Sequence, residues 1–400
     1  MTSAHISFRK PGTALFLLLL ISTSHAQNAA RWLDPALDEQ NLPRNSSILF
    51  WSGDQQIAGF RNIAKVSAVR HIQRSDQVSV LPEAPRDLSS VKYTVEGQSY
   101  SLDDYMVNNH VGGLLVLKDG AIALERYGLG NRADHLWVSF SMTKSVVSML
   151  TGAAIKDGYI RSVDDPVTHY LPQLLGTSYE GVSVRHVLQM ASGTAWDENY
   201  ADPRSDVATM PNDMLALMKF MGAKPRVATP GERFNYNTGE TNLAGAIVRA
   251  AIGNNLAAYL TEKIWKPLGM ESDATWISHG PNGGELGGCC ISPTLKDWGR
   301  LALFAMNDGV LPDGTRVLPE NWMRDSTTPS PASANYGYLW WLDGDGIFRA
   351  SGIFGQGIYL NPQTQTIIVV QGAWPQATNA QLAAHRDAMF RAVDRALNQN

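Results

Sequence analysis

The sequence predicts an α+β fold, with an antiparallel sheet built from both ends of the chain, helices flanking it, and a helical subdomain from the middle. Three observations predict this. Hairpin signals stand at "GGLLVLKDGAIALERYG", and return at "YGYLWWLDGDGIFRASG" and "GQGIYLNPQTQTIIVVQGAW". Helical and loop patterns dominate between them, from about residue 141 to 325. The alternating strand–helix pattern of a parallel sheet is absent.

The elements follow in chain order. Arg9 and Lys10 precede an apolar run from Ala14 to Ile21, and Ser24-His25-Ala26 supplies small residues at the end. This reads as a signal peptide over 1–26, cut after Ala26, and predicts export to the periplasm or the medium. The run is well short of the roughly 20 residues that a membrane span needs, so no stable span is expected after cleavage. Residues 27–100 carry Pro and Asp punctuation with few clear periods, and read as an N-terminal arm wrapping a domain over 101–400. Apolar runs at Leu114–Leu117 and Ala121–Leu124 flank Lys118-Asp119-Gly120, a hairpin signal. From about Ser141, Met142, Val146, Met149, Leu150 and Ala153 fall at helical spacing, and Gly158 marks the stop. The later strand pairs turn at Asp-Gly and Asn-Pro. A last amphipathic helix spans roughly Asn379–Leu397.

Composition bounds the function. The 400 residues carry a net charge of −4, with 44% hydrophobic and 18% charged residues, enough apolar material for a sizeable core. No basic block or basic-aromatic stripe suggests a nucleic-acid partner. There is no P-loop, dinucleotide fingerprint, H-E-x-x-H or Cys-x-x-Cys, so neither cofactor nor metal is expected. The sequence leaves the oligomeric state open. Cys289 and Cys290 are adjacent, a spacing that does not easily reach relaxed disulfide geometry, and they read as small buried residues.

Ser-x-x-Lys occurs three times, at Ser7/Lys10, Ser89/Lys92 and Ser141/Lys144. The first lies in the leader and the second in a polar stretch. Only the third enters an apolar helix, flanked by Val146, Val147, Met149 and Leu150. A serine at a helix start caps it by accepting a backbone N–H bond. The same position also suits a nucleophile, because the free N–H groups there stabilise an alkoxide or an oxyanion. Positions i and i+3 share a helix face, so Lys144 reaches the Ser141 hydroxyl. Burial lowers a lysine pKa, which would let Lys144 act as the base. Tyr236-Asn237-Thr238 stands at the entry of another apolar helix, where Tyr236 is either a turn aromatic packing by its ring or a proton donor. No G-x-S-x-G elbow exists to supply a rival serine.

Together these segments resemble the penicillin-recognising serine hydrolases: class C β-lactamases, D-Ala-D-Ala peptidases, and the esterases and amidases on their β-lactamase/transpeptidase-like fold. Ser141–Lys144, Tyr236-Asn237-Thr238 and Ala350-Ser351-Gly352 correspond in order to Ser-x-x-Lys, Tyr-x-Asn and a Lys-Thr-Gly-like triplet. Within that group, "WDENYADP", "FNYNTGETN", "GGCCISPTLKDWGRLALFAMNDG" and "ASGIFGQGIYLNP" are similar to the 6-aminohexanoate-dimer hydrolase branch, over about residues 50–375.

The resemblance implies that Ser141 is the nucleophile, Lys144 its general base and Tyr236 a partner in proton transfer. It implies an oxyanion hole from the backbone N–H groups of Ser141 and Ile353. Tyr200, Thr238, Ser351 and Gly352 would then face the substrate, a small amide or ester. Trp196, Trp340 and Trp341 either line an apolar cleft or pack. Two departures stand out: Thr238 replaces the Asn, and Ala350 replaces the lysine that helps bind a substrate carboxylate in that group. The missing cation weighs against β-lactams and favours uncharged groups there. The function expected is an exported serine hydrolase acting through an acyl-enzyme on amides or esters. The alternatives are a carboxylesterase or D-amino-acid amidase of the same fold, and a non-hydrolytic ligand-binding or β-lactam-sensing module.

Overall fold

A computed structural model of the chain describes Met1 and residues 32–44 and 47–399. The expected cleavage site and the Ser7/Lys10 pair lie outside the described residues. The main sheet has six strands. From the first part of the chain come β1 (Val111–Lys118) and β2 (Ala121–Tyr127). From the last come β3 (Trp341–Gly344), β4 (Ile347–Ser351), β5 (Gly357–Asn361) and β6 (Thr366–Gly372). Their order is β2-β1-β6-β5-β4-β3, antiparallel at every pairing. The sheet thus draws on both ends of the chain.

Local chemistry fixes the hairpins. Asp119 and Gly120 have φ of 52° and 79°, and Asp345 and Gly346 have 50° and 74°. Two successive positive φ values make the tight turn whose twist matches paired strands, and Asp-Gly tolerates it. β1 is buried on both faces. Leu114 and Val116 pack with Met389, Phe390 and Val393 of α4 (Ala380–Asn398). Leu115 and Leu117 pack in the core that contains α1 (Met142–Lys156) and α3 (Leu295–Met306). A strand covered on both sides needs apolar residues at every position, which accounts for the unbroken "LLVL" run.

α1 is buried from Met142 to Ala154, including Thr143, Lys144, Ser145, Ser148 and Thr151. It packs beside α2 (Thr238–Ile252). A helix with no solvent face can hold polar side chains only where neighbours bond them, so Lys144 must have internal partners.

A three-stranded sheet was not anticipated. Val69–Ile72, in the stretch read as an arm, pairs with Ala274–Ile277, which pairs with Ile291–Ser292, both inside the stretch read as helices and loops. These strands hold two to four residues, too few for a period of two to register. The first also pairs with a segment far away in sequence, Val69 lying opposite Ile277. This small sheet fixes the approach of residues 288–290 to α1.

Residues before β1 hold the same region from behind. The buried Arg61 donates Nε to Asp38 at 2.9 Å and Nη1 to the Leu129 carbonyl at 2.7 Å. Its neighbour Phe60 packs against Phe140 and Phe354, with ring centroids 5.0 and 5.5 Å away. Those two aromatics directly precede Ser141 and follow Ile353. The packing therefore sets the spacing of the two segments that carry the expected oxyanion donors.

Candidate active site

Ser141 occupies the N-cap position of α1, yet its side chain caps nothing. Its Oγ lies 2.9 Å from Lys144 Nζ instead, with Tyr236 beside it. The capping explanation of this serine is therefore not realised, and the hydroxyl is left to the lysine and the tyrosine. Neither the Ser141 N–H nor the Ile353 N–H donates a hydrogen bond among the described residues. Both residues line one cavity of about 350 Å³.

Lys144 is 1% exposed. Its Nζ meets three oxygens: Ser141 Oγ at 2.9 Å, Thr238 Oγ1 at 3.0 Å and the Gly288 carbonyl at 2.8 Å. The carbonyl can only accept. Thr238 gives its hydroxyl proton to the Glu198 carboxylate, so towards Lys144 it too must accept. The two hydrogens of a neutral amine are then both committed, and its lone pair is left facing Ser141. Burial lowers the Lys144 pKa to about 8, with the nearby Glu198 charge acting in the opposite direction. Tyr236 is held above the ordinary phenol range by burial and then by Glu198. It stays protonated near neutrality, and the lysine is the more readily deprotonated group.

Backbone approach makes this possible. A Cβ on Gly288 would sit 2.8 Å from the Thr238 methyl, so only glycine lets that carbonyl reach Lys144. A Cβ on Gly352 would lie 2.6 Å from the Ser139 carbonyl, so the end of β4 can close on the segment before Ser141 only without a side chain.

Glu198 is the residue that sequence reasoning missed. Its carboxylate accepts from the Thr238 N–H at 2.9 Å, the Thr238 hydroxyl, the Tyr200 hydroxyl and Trp196 Nε1. It stands two residues before Tyr200 in "WDENYADP", among other acids, and nothing local distinguished it. Through Glu198, the departure of Thr238 from Asn becomes intelligible: a hydroxyl both accepts from Lys144 and donates to the carboxylate.

The remaining expected residues divide. Tyr200 lines the first cavity and a second one of about 350 Å³. Ser351 and Gly352 line the second, together with Tyr236. Trp341 lines it too, stacked on Tyr236 at 5.4 Å. Trp340 instead packs on Phe348 in the core, and Trp196 packs on Phe220 while donating to Glu198.

One expectation is placed and one is corrected. Cys289 and Cys290 stand side by side at a sharp local turn, where Cys290 is buried and takes a φ of 134°. The second cavity does not lack cations. Ala350 is buried on one face of β4, while Arg349 on the other face and Arg386 of α4 both line that cavity. The charge argument against a substrate carboxylate therefore fails.

The chain is similar to several known proteins. The family model described as Beta-lactamase matches residues 102–389. A 6-aminohexanoate-dimer hydrolase of Paenarthrobacter ureafaciens is 28% identical over 309 residues, 71% of this chain and 78% of that one. Esterase EstB of Burkholderia gladioli is 24% identical over 260 residues, 60% of this chain and 62% of the esterase. Among solved structures, a Bacillus anthracis protein provisionally named as a 6-aminohexanoate-dimer hydrolase superposes with a TM-score of 0.76. It shares 19% identity and covers 88% of this chain and 97% of that one. A penicillin-binding protein of Bacillus halodurans gives 0.59 at 18% identity, covering 72% and 100%.

Proposed function

Because this chain belongs to the beta-lactamase family, we propose that it is a hydrolase cleaving amide or ester bonds through an acyl-enzyme on Ser141. The observation that carries the reading is the buried Lys144, whose Nζ lies 2.9 Å from Ser141 Oγ with its other contacts made to Thr238 and the Gly288 carbonyl. Neutral Lys144 takes the hydroxyl proton as Oγ attacks the substrate carbonyl. The oxyanion forms against the unused N–H groups of Ser141 and Ile353. Tyr236 gives its proton to the leaving nitrogen or oxygen as the bond to the carbonyl carbon breaks, and is reprotonated from Lys144. Water then adds to the ester, its proton passing back through the same groups, and the acid leaves Ser141. No cofactor enters these steps.

A panel of nitrophenyl esters, linear amides, D-amino-acid amides and nitrocefin tests the reading. Turnover of an amide or ester well beyond one equivalent is expected. Acylation that stops at one equivalent on every substrate would favour a receptor instead.

Lys144 must be neutral to act, so kcat/KM should rise as pH climbs through its pKa, about 8, and level off above it. Glu198 raises that pKa. Glu198→Gln should therefore move the acid limb to lower pH while lowering the plateau, since an amide can donate to Thr238 and reverse its hydroxyl. A pH–rate profile reads both effects. An unmoved limb would mean that Glu198 has no electrostatic hold on Lys144.

Export is part of the proposal, supported by the basic and apolar run before Ala26. N-terminal sequencing of the protein made in a bacterial host should give Gln27 first. An uncleaved, cytosolic product would contradict export.

A further inference from the structure

Besides Ser141, Lys144 meets Thr238 Oγ1 at 3.0 Å and the Gly288 carbonyl at 2.8 Å. The first oxygen belongs to a side chain that Glu198 holds. The second belongs to a backbone turn. Residues 286–289 form that turn, closed by the Cys289 N–H on the Leu286 carbonyl at 3.2 Å. Its central residues are Gly287 and Gly288, and two glycines give a turn little conformational preference of its own. Close packing confines it. A Cβ on Gly287 would lie 2.3 Å from the Thr241 carbonyl of α2, and one on Gly245 of α2 would lie 3.0 Å from the Gly287 Cα. This packing sets how near the turn lies to α2, but not which way the peptide between the glycines faces.

A hydrogen bond sets that. Asn242 Oδ1 accepts the Gly288 N–H at 2.8 Å. Asn242 is buried, and its Nδ2 donates to Met210 Sδ at 3.1 Å, so the oxygen is the end that faces the turn. Asn242 lies four residues after Thr238, on the same face of α2. That face therefore meets Lys144 directly through Thr238, and at one remove through Asn242 and Gly288.

We propose that Asn242 is a positioning residue for the hydrolysis, fixing the 286–289 turn in the shape that presents the Gly288 carbonyl to Lys144. This rests on the hydrolase reading above and deepens it. Without the Asn242 acceptor the Gly288 N–H is buried and unpaired, and the turn changes shape to satisfy it. The carbonyl then leaves Lys144, and the amine is no longer held towards Ser141. Losing an acceptor that favours the charged lysine also lets Lys144 deprotonate more readily. Glu198 and Tyr236, the titratable groups that face Lys144, stay in place.

The test is a pH–rate profile of nitrophenyl ester hydrolysis by wild type, Asn242→Leu and Asn242→Asp, each with a melting curve. Leucine fills a similar volume without an acceptor. Aspartate keeps an oxygen for the Gly288 N–H whether ionised or not. Asn242→Leu should lose about tenfold or more in kcat with KM changed less than about threefold, and its acid limb should move to lower pH. Asn242→Asp should restore kcat to within about threefold of wild type, with the limb at or above the wild-type position, since an added negative charge raises a lysine pKa. The limb position does not depend on how much protein is folded. Asn242→Ala lacks the acceptor without added bulk, should behave as the leucine variant does, and replaces it if leucine prevents folding. An unmoved limb in the variant without an acceptor would overturn the proposal, as would a folded Asn242→Asp as slow as that variant. Wild-type turnover with an unmoved limb in the variant sinks only the positioning role. No wild-type turnover of any ester or amide sinks the hydrolase reading itself.

Discussion

Ser141→Ala should lose about 10⁴-fold or more in turnover of every amide and ester while remaining folded. The expectation comes from a hydroxyl placed at a helix start without capping it, 2.9 Å from a buried amine. Because the hydroxyl bonds no backbone N–H of α1, its loss should cost less than the ~1 kcal/mol of a true cap. Thermal unfolding and steady-state kinetics on one preparation measure both. A stable variant with substantial activity would remove Ser141 from the mechanism, whereas an unfolded one would mean that its role is structural.

Lys144 supplies the second large effect. Lys144→Arg and Lys144→Ala should each lose about 10²–10⁴-fold, the range for a positioned base. The arginine variant is the sharper of the two. It keeps a positive charge, but a guanidinium does not deprotonate in a protein. Were Lys144 only a fixed cation, arginine would restore much of the rate. Alanine leaves the Gly288 carbonyl and Thr238 short of a donor and should cost about 1–3 kcal/mol of stability. Both variants therefore need a melting curve beside the kinetics. Strong activity in a folded arginine variant, still acylated at Ser141, would shift the base role to Tyr236.

What the sequence made legible was local. Lys144 follows Ser141 by three positions on a helix whose other residues are apolar, so its burial could be read from Val146, Val147 and Met149. The hairpins announced themselves through Asp119-Gly120 and Asp345-Gly346, whose backbone angles few other pairs tolerate. The C-terminal helix was readable from its period, and its N-cap Asn379 does accept the Leu382 N–H at 3.0 Å.

What stayed hidden depends on contacts distant in sequence. Glu198 is one acid among several in its loop, and only the fold brings it to Thr238. The Gly288 carbonyl has no side chain to betray it. Arg386 sits on a helix that reads as ordinarily amphipathic, and its turn towards the cleft is set by packing on Trp374. The small sheet of Val69–Ile72 with Ala274–Ile277 is too short to show a period. In each case a single residue acquires its meaning from a partner that no local pattern names.

The central claim is a covalent bond between the acyl group and Ser141. Peptide mass spectrometry of an acid-quenched reaction with an activated nitrophenyl ester tests it most directly, since such an ester acylates fast enough for the intermediate to accumulate. The predicted result is one acyl group on the peptide containing Ser141, absent from Ser141→Ala and removed by longer incubation before the quench. An acyl group on a different side chain, carried equally by Ser141→Ala, would contradict the account.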